Sequence, residues 1–325
     1  MYDYLLSVIV VTYNPLWEKL RLTLNSILLQ QNLAYEIIIS DDGSINFAEI
    51  QGKLKGYFAE KNFSRYKFIH SEKNCGIIAN CLQGVEAAEA SVVKLISPGD
   101  AFFAPDTLSK LLGWMTDSQL DIVAGLAVTY SFVNDKVILH KKRQMPKNIK
   151  AYSTNTERKK FLATVLLEQN VVHGACIMVK RDAFLKYVRI LRDNGVRFCE
   201  DLFTRLAVVD NCRIAVWPHN VVWYEYGEGI STSNNQTFNK YMHEDVQLCN
   251  AILRRMLEQS GNDKLVQLAS ELKEESASYE RRSFWEKLWF YLTHYRKAKA
   301  RVNLALFGKY TSIDEDTAFL ELCRR

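Results

Sequence analysis

The first 130 residues alternate between short apolar runs and longer segments with helical periodicity. The run LLSVIVVTYN is rich in β-branched residues and ends in polar ones, which is typical of a buried strand. The segment PLWEKLRLTLNSILLQQ starts at Pro15 and repeats apolar residues every three or four positions, which predicts a helix. The same alternation continues with short links to about Val128. This order predicts an α/β fold, with a mostly parallel sheet covered by helices on both faces.

Beyond residue 130 the pattern is less regular. VVHGACIMVK predicts a strand, RDAFLKYVRILRDNG a helix ended by Gly195, and LFTRLAVVDN a further helix. CRIAVWPHNVVWYEY predicts two strands separated at Pro218. Residues 236–307 lack strand patterns and predict two or three amphipathic helices. We therefore predict a sheet domain over 1–235 and a C-terminal helical extension over 236–325.

Composition narrows the class of protein. The 325 residues carry a net charge of +5 and are 48% hydrophobic, which is ordinary for a soluble globular protein. No basic block accompanies a nucleic-acid-reading motif, so we expect no nucleic acid partner. The seven cysteines are scattered without a CxxC, which favours unpaired thiols in a reducing compartment. The start of the sequence lacks signal-peptide features and no apolar run reaches about 18 residues. We expect a cytoplasmic protein.

Polar residues follow three of the predicted strands. They are Thr12, Tyr13 and Asn14 after the first strand, Asp41 and Asp42 after the second, and Asp100 after a later one. Ligands of open α/β sheets bind at the carboxyl ends of the strands, so these residues predict a site. Neither a GxGxxG motif nor a P-loop is present to hold phosphate through backbone N–H groups. Carboxylates repel phosphates unless a divalent cation lies between them, which favours Mg²⁺ or Mn²⁺.

Five segments together resemble family 2 glycosyltransferases, which have the GT-A fold. SVIVVTYN, EIIISDDGS, NCGIIANCLQG, SPGDAFFAP and CEDLFTRLAV follow the order and spacing of that family, and the resemblance covers roughly residues 5 to 235. It implies a transferase that moves a sugar from a nucleotide-sugar donor to a hydroxyl group with inversion at the anomeric carbon. UDP is the commonest donor nucleotide that the resemblance implies. The implied acceptor is a glycan, a lipid-linked molecule or a protein, as in polysaccharide biosynthesis.

The resemblance also implies a nucleotide-binding set. Tyr13 matches the tyrosine that stacks near the base, and Asp42 matches the aspartate that bonds the base. Asn74 and Gly76 match the helix start beside the sugar nucleotide, although an ordinary helix N-cap and turn explains the same residues. The full set comprises Thr12, Tyr13, Asn14, Asp41, Asp42, Asn74, Gly76 and Asn80.

The segment SPGDAFFAP departs from the family. The family has Asp-x-Asp-Asp where this chain has Pro98, Gly99, Asp100 and Ala101, so one carboxylate remains. The resemblance implies that Asp100 binds Mn²⁺ or Mg²⁺, and the incomplete motif predicts weak metal binding without nucleotide. The alternative is a turn aspartate in a metal-independent or inactive protein.

The segment FCEDLF carries the second chemical element. Acidic residues before a helix also stabilise its N-terminus, so Glu200 and Asp201 have a capping alternative. The resemblance implies that Asp201 is the general base for the acceptor hydroxyl, with Glu200 orienting the acceptor. His173, Tyr226 and Ser231 are candidates for contacts with the acceptor or in a donor loop, although a lone histidine beside an apolar strand is also typical of a structural residue.

Aromatic and basic residues alternate in RRSFWEKLWFYLTHYRKAKAR, residues 281–301. Such a segment predicts peripheral contact with an anionic membrane surface on the inner face. The alternative is a helix that packs on the core, or on a second copy of the chain in a homo-oligomer. Two further functional alternatives are a catalytically degenerate protein that binds a sugar nucleotide or glycan, and a membrane-surface scaffold.

Overall fold

A computed structural model describes most of the chain. The described residues are 6–142, 144–153, 157–168, 170–227, 236–260 and 315–325, with single positions 266, 267, 283, 285, 289 and 292. The strands are β1 (Leu6–Thr12), β2 (Tyr35–Asp41), β3 (Tyr66–His70), β4 (Val92–Ile96), β5 (Ala101–Phe102), β6 (Ile122–Val133), β7 (Lys136–His140), β8 (Ile177–Lys180) and β9 (Ile214–Glu225). The helices are α1 (Trp17–Leu28), α2 (Phe47–Glu60), α3 (Ile77–Glu86), α4 (Thr107–Asp117), α5 (Arg158–Leu166), α6 (Arg181–Asp193), α7 (Phe203–Val209), α8 (Gln236–Glu258) and α9 (Ala318–Arg324). Short 3-10 turns form at Ile149–Tyr152, Gly174–Cys176 and Glu200–Leu202.

One mixed sheet organises these elements. Its strand order is β3-β2-β1-β4-β8-β6-β9-β5, and β7 pairs with β6 at the side. The first four strands of this order are parallel, so their carboxyl ends lie on one edge, as predicted. β8 runs antiparallel to both β4 and β6, and β9 is parallel to β6. The polar residues after β1, β2 and β4 therefore share one edge of the sheet.

Helices cover both faces, which confirms the α/β prediction. Alternate residues of β1 point to opposite faces, so Ile9 packs with α3 and the later helices α5–α8, while Val8 and Val10 pack with α1, α2 and α4. The core around Ile9 includes Leu253 of α8, so this helix lies against the sheet domain. All seven cysteines are free, as expected.

The prediction of two strands separated at Pro218 is wrong. β9 continues through this residue, and its register against β6 shifts between Val216 and Asn220. The shift is a bulge, where a proline removes no hydrogen bond of the ladder. The interruption expected from sequence is therefore a bend within one strand.

The helix α9 returns to the beginning of the fold. Leu320 and Cys323 are fully buried beside Leu22 of α1 and Trp223 of β9. The side chain of Asn25 donates a hydrogen bond of 2.7 Å to the carbonyl oxygen of Cys323. Within the described parts of the chain, no helix has both the length and the apolar character needed to cross a membrane.

Candidate active site

The carboxylate of Asp41 is used inside the protein. It accepts hydrogen bonds from the backbone N–H of Ser44 (2.8 Å), the hydroxyl of Ser44 (2.6 Å) and the hydroxyl of Thr12 (2.9 Å). Its Oδ1 also lies 2.9 Å from Nδ1 of His70. These contacts join the ends of β1, β2 and β3. Asp41 and Thr12 therefore hold the ends of these strands together, and their predicted contact with a nucleotide stays a prediction.

Asp42 faces the beginning of α3. Its two carboxylate oxygens accept the backbone N–H groups of Cys75 (2.7 Å) and Gly76 (2.9 Å). Burial raises the pKa of Asp42 above its usual value, and these two N–H bonds act in the opposite direction. Gly76 is the N-cap of α3 with φ = 94°, and its N–H also lies 3.2 Å from Oδ1 of Asn74. Gly76 is thus the N-cap of α3 without a side-chain cap, and ligand contact by Asn74 and Gly76 stays a prediction.

The other members of the predicted nucleotide set divide into one buried and two accessible residues. Asn80 is buried, accepts the hydroxyl of Ser40 at 2.8 Å and donates to the carbonyl oxygen of Thr12 at 3.1 Å. The N–H of Asn14 donates to Ser44 at 2.6 Å, while 52% of Tyr13 is exposed. Asn80 therefore ties α3 to the sheet, and Tyr13 presents the ring that is accessible for stacking.

Asp100 lies in a tight turn that follows β4 at the same edge of the sheet. The backbone N–H of Glu225 donates to its Oδ1 at 3.0 Å, and the hydroxyl of Thr23 donates to its carbonyl oxygen at 2.7 Å. Burial raises the pKa of Asp100 to about 7. Gly99 has φ = 100°, and a Cβ there would lie 2.2 Å from Oε2 of Glu225. The left-handed backbone therefore favours glycine at position 99, and a side chain there would require the carboxylate of Glu225 to move.

The donor atoms around Asp100 suit a cation that arrives with a ligand. Among the described residues, no group of three His, Cys, Asp or Glu side chains could hold a metal ion. Oδ1 of Asp100 already accepts an N–H, which leaves Oδ2 for coordination. Magnesium ions are commonly held by one or two carboxylates together with substrate phosphate oxygens and water. Weak cation binding that depends on a diphosphate therefore stays a prediction.

Two lysines balance the acidic groups of this region. Nζ of Lys19 lies 2.8 Å from Oε2 of Glu225. Lys94 is fully buried in β4 and donates to the carbonyl oxygens of Leu95 (2.8 Å) and Ala175 (2.6 Å). Burial lowers the pKa of Lys94 to about 8. Lys94 thus connects the strand that leads to Asp100 with the Gly174–Cys176 turn.

Asp201 lies against that same turn, and Glu200 directly precedes it in the chain. A Cβ on Gly174 would be 3.1 Å from Cβ and 3.3 Å from Oδ2 of Asp201, so the two segments touch. Burial raises the pKa of both carboxyl groups, and the charge of Asp201 raises that of Glu200 further. Backbone N–H groups and the charge of Arg205 favour the ionised form of Asp201. Burial therefore disfavours the charged form of both groups, and the backbone N–H groups and Arg205 favour ionisation at Asp201 rather than at Glu200.

The remaining candidates have different surroundings. His173 precedes Gly174, and the centre of its ring lies 4.5 Å from the ring centre of Tyr224. Its buried Nδ1 has no hydrogen-bond partner among the described residues. Burial lowers the pKa of His173 to about 4, so the ring is neutral. Tyr226 directly follows Glu225, the residue whose N–H donates to Asp100. Nζ of Lys142 lies 3.7 Å from the ring centre of Tyr226. Ser231 lies outside the described residues.

Comparison with known proteins decides the family. The family described as Glycosyl transferase family 2 matches residues 7–188, more than half of the chain. The chain belongs to glycosyl transferase family 2. No curated protein matches it by sequence.

Solved structures support the same fold for this family 2 glycosyltransferase. S. aureus TarS 1-349 in complex with UDP has a TM-score of 0.51 and 17% identity, over 88% of this chain and 77% of that one. S. aureus TarS 1-349 has a TM-score of 0.52 and 15% identity, over 92% and 80%. S. aureus TarS has a TM-score of 0.50 and 17% identity, over 85% and 44%. The GT-A fold is confirmed, and the protein is by class a nucleotide-sugar glycosyltransferase.

Sequence reasoning missed four residues of this family 2 glycosyltransferase. Lys94 had a visible signal, because a charged residue interrupts the apolar strand SVVKLIS. Gly174, Lys19 and Glu225 had none, since their contacts join segments far apart in sequence. The family match ends at residue 188, before Glu200 and Asp201. The roles of these two acidic residues therefore depend on their geometry and on the resemblance of CEDLFTRLAV.

Proposed function

We propose that this chain transfers a sugar from a UDP-sugar to an acceptor hydroxyl with inversion at the anomeric carbon. The observation that carries the proposal is the contact of Asp201 with the Gly174–Cys176 turn. Lys94 joins this turn to the strand that ends before Asp100. A candidate base and a candidate diphosphate-binding carboxylate are thereby built into one connected unit.

The residues proposed to bind the donor nucleotide lie at the carboxyl ends of β1 and β2. The exposed ring of Tyr13 suits stacking on a base, and the buried Asp42 suits recognition of a base N–H. The similar fold of TarS, described in a complex with UDP, makes uridine the first nucleotide to test. We propose that Tyr13 and Asp42 hold the base and that Asp100 faces the diphosphate.

In the proposed reaction, ionised Asp201 takes the proton of the acceptor hydroxyl. The acceptor oxygen forms a bond to the anomeric carbon from the side opposite the diphosphate, and the bond from that carbon to the diphosphate oxygen breaks. The electron pair of the broken bond leaves with UDP, and the proton remains on Asp201. Protonated Glu200 orients the acceptor by donating a hydrogen bond. A divalent cation held by Asp100 and the diphosphate would offset the charge on the leaving group.

The substitution Asp201→Asn tests the base. It keeps the size of the side chain and removes the proton acceptor, so turnover should fall by about 10²-fold or more while UDP binding persists. The measurement pairs UDP release from a UDP-sugar and acceptor with calorimetric titration of UDP. Asp117→Asn, at an exposed position in α4, is the control and should retain activity. Turnover retained in Asp201→Asn would exclude Asp201 as the base.

A second candidate function is binding of a sugar nucleotide without catalysis. The observation that favours it is the reduced acidic motif, in which Pro98 and Ala101 replace carboxylates and Asp100 accepts a backbone N–H. Under this alternative, the wild-type chain binds UDP-sugars and releases no UDP with any acceptor. The acceptor of the enzyme hypothesis is a hydroxyl of a glycan, a lipid-linked molecule or a protein. A panel of these acceptors therefore belongs in the turnover assay.

A further inference from the structure

Asp245 is a buried carboxylate on α8, and only 3% of it is exposed. It accepts three consecutive backbone N–H groups, from Arg197 at 3.1 Å, Phe198 at 2.7 Å and Cys199 at 2.9 Å. Asp is rarely fully buried unless its charge is compensated, and hydrogen bonds to an ionised acceptor are stronger than neutral ones. The next two residues in the chain are Glu200 and Asp201. Asp245 therefore fixes the segment that delivers the proposed base.

The same segment contacts α8 and α3 through further groups. The ring of Phe198 stacks on Tyr241 of α8, with 5.2 Å between ring centres and 10° between planes. The carbonyl oxygen of Arg197 accepts the N–H of Ile78 at 3.1 Å. The same carbonyl oxygen lies close to Gly76, since a Cβ added at Gly76 would be 3.4 Å from it. The N–H of Gly76 in turn donates a hydrogen bond to Asp42. The segment is thus held between the beginning of α3 and α8.

We propose that Asp245 is a positioning residue for the glycosyl transfer, acting through the backbone of residues 197–199 to fix Asp201. This inference rests on the proposed role of Asp201 as the base. It assigns part of the working site to α8, which lies beyond residues 7–188 of the family match. A displacement of a catalytic group by about 1 Å can reduce a rate about 10²-fold, so an anchor of three hydrogen bonds next to the base has a kinetic consequence.

The first test compares Asp245→Asn with Glu244→Gln, a neighbouring exposed position on the same helix. The amide that replaces the carboxylate has one acceptor oxygen and no charge, so it cannot satisfy all three N–H groups equally. We expect kcat for UDP release from a UDP-sugar and an acceptor to fall at least tenfold, with KM for the donor and Kd for UDP within threefold of wild type. Asp245→Glu restores the charge and both acceptor atoms and should recover part of kcat. A wild-type kcat in Asp245→Asn, or an equal loss in Glu244→Gln, would overturn the proposal.

A second test needs no variant and no activity. Amide hydrogen exchange of the wild-type chain should show the N–H groups of residues 197–199 exchanging as slowly as those in the middle of α8. Fast exchange of these three amides, with slow exchange in α8, would overturn the anchoring role. This test uses the wild-type chain, so it also decides the question if the Asp245 variants do not fold. If wild type neither binds nor releases any nucleotide while these amides are protected, the proposed function fails and the anchor stands as a structural contact alone. The two failures are thereby distinguished.

Discussion

The substitution Gly174→Ala is a sensitive test of the contact between the Gly174–Cys176 turn and Asp201. The added Cβ would lie 3.1 Å from Cβ, 3.3 Å from Oδ2 and 3.5 Å from Cγ of Asp201. Carbon atoms in favourable contact are about 3.5–4.0 Å apart, so the carboxylate or the turn must move by roughly 0.5 Å. The backbone of Gly174 is not left-handed, so alanine adds no conformational strain. The perturbation is confined to the position of the proposed base.

The expected result is a loss of turnover with little loss of stability. A catalytic group must stay within about 0.5 Å of its working position, so we expect kcat to fall about tenfold or more. UDP affinity should stay within threefold of wild type, because the residues proposed to bind the nucleotide lie at the ends of β1 and β2. The free energy of unfolding should change by less than about 1.5 kcal/mol, since one methyl group is added at the edge of the core. UDP release, calorimetry and urea unfolding measure the three quantities.

Gly56→Ala is the matched control. Gly56 lies inside α2, and a Cβ there meets no atom within 4 Å. Alanine is favoured over glycine inside a helix by about 1 kcal/mol, so this variant should be more stable and equally active. If Gly174→Ala keeps wild-type kcat, the close approach of Gly174 has no role in placing Asp201, and the geometry of the proposed base must be reconsidered.

Four other predictions concern protonation, the cation, the core and the surface. Burial raises the pKa of Asp201, and the base acts when ionised, so kcat/KM should rise with pH through a midpoint above about 4; a midpoint at or below that value would contradict the burial effect. Asp100→Asn should weaken UDP binding at least tenfold when Mn²⁺ is present and leave UDP binding unchanged when a chelator is present. A variant that binds UDP as tightly as wild type in Mn²⁺ would exclude the metal role of Asp100. Leu320→Ala removes a fully buried side chain between α9 and α1, and urea unfolding should show a loss of about 2–5 kcal/mol; a smaller loss would mean that α9 adds little. Trp285 and Trp289 are helical and 74% and 69% exposed, so vesicles rich in anionic lipid should bind the chain, and the double substitution to Ser should reduce binding at least tenfold; equal binding would exclude these rings from a membrane contact.

The backbone of the sheet could be predicted because its signal is local. Ile9 and its neighbours in β1 alternate between two cores, and the apolar run alone indicates a buried strand. Pro218 misled the prediction, because a proline also fits a bulge when a neighbouring strand tolerates a register shift. That tolerance depends on β6, which lies some 90 residues earlier in the chain and leaves no mark on the local pattern.

The site was predicted less completely, because hydrogen-bond partners are not written in a motif. Asp41 and Asp42 are adjacent in sequence, yet the first is used by Ser44, Thr12 and His70 while the second faces α3. The assignment of both to nucleotide binding stays a prediction. Asp245 gave no signal at all, since an acidic residue on an amphipathic helix is typical of a solvent-facing position. Its burial became visible only when the three N–H groups were located.

The contact between α9 and α1 has a consequence for the order in which the chain can fold during its synthesis. Asn25 donates a hydrogen bond to Cys323, which lies 298 residues later in the chain. Leu22 is covered by Leu320 and Cys323 of the same helix, α9. A ribosome must therefore synthesise the chain as far as Leu320 and Cys323 before this side of α1 acquires its cover. Until then Leu22 and Trp223 form an apolar surface on a growing chain, and such surfaces favour aggregation and the recruitment of chaperones. That patch is closed only after α9 has been synthesised.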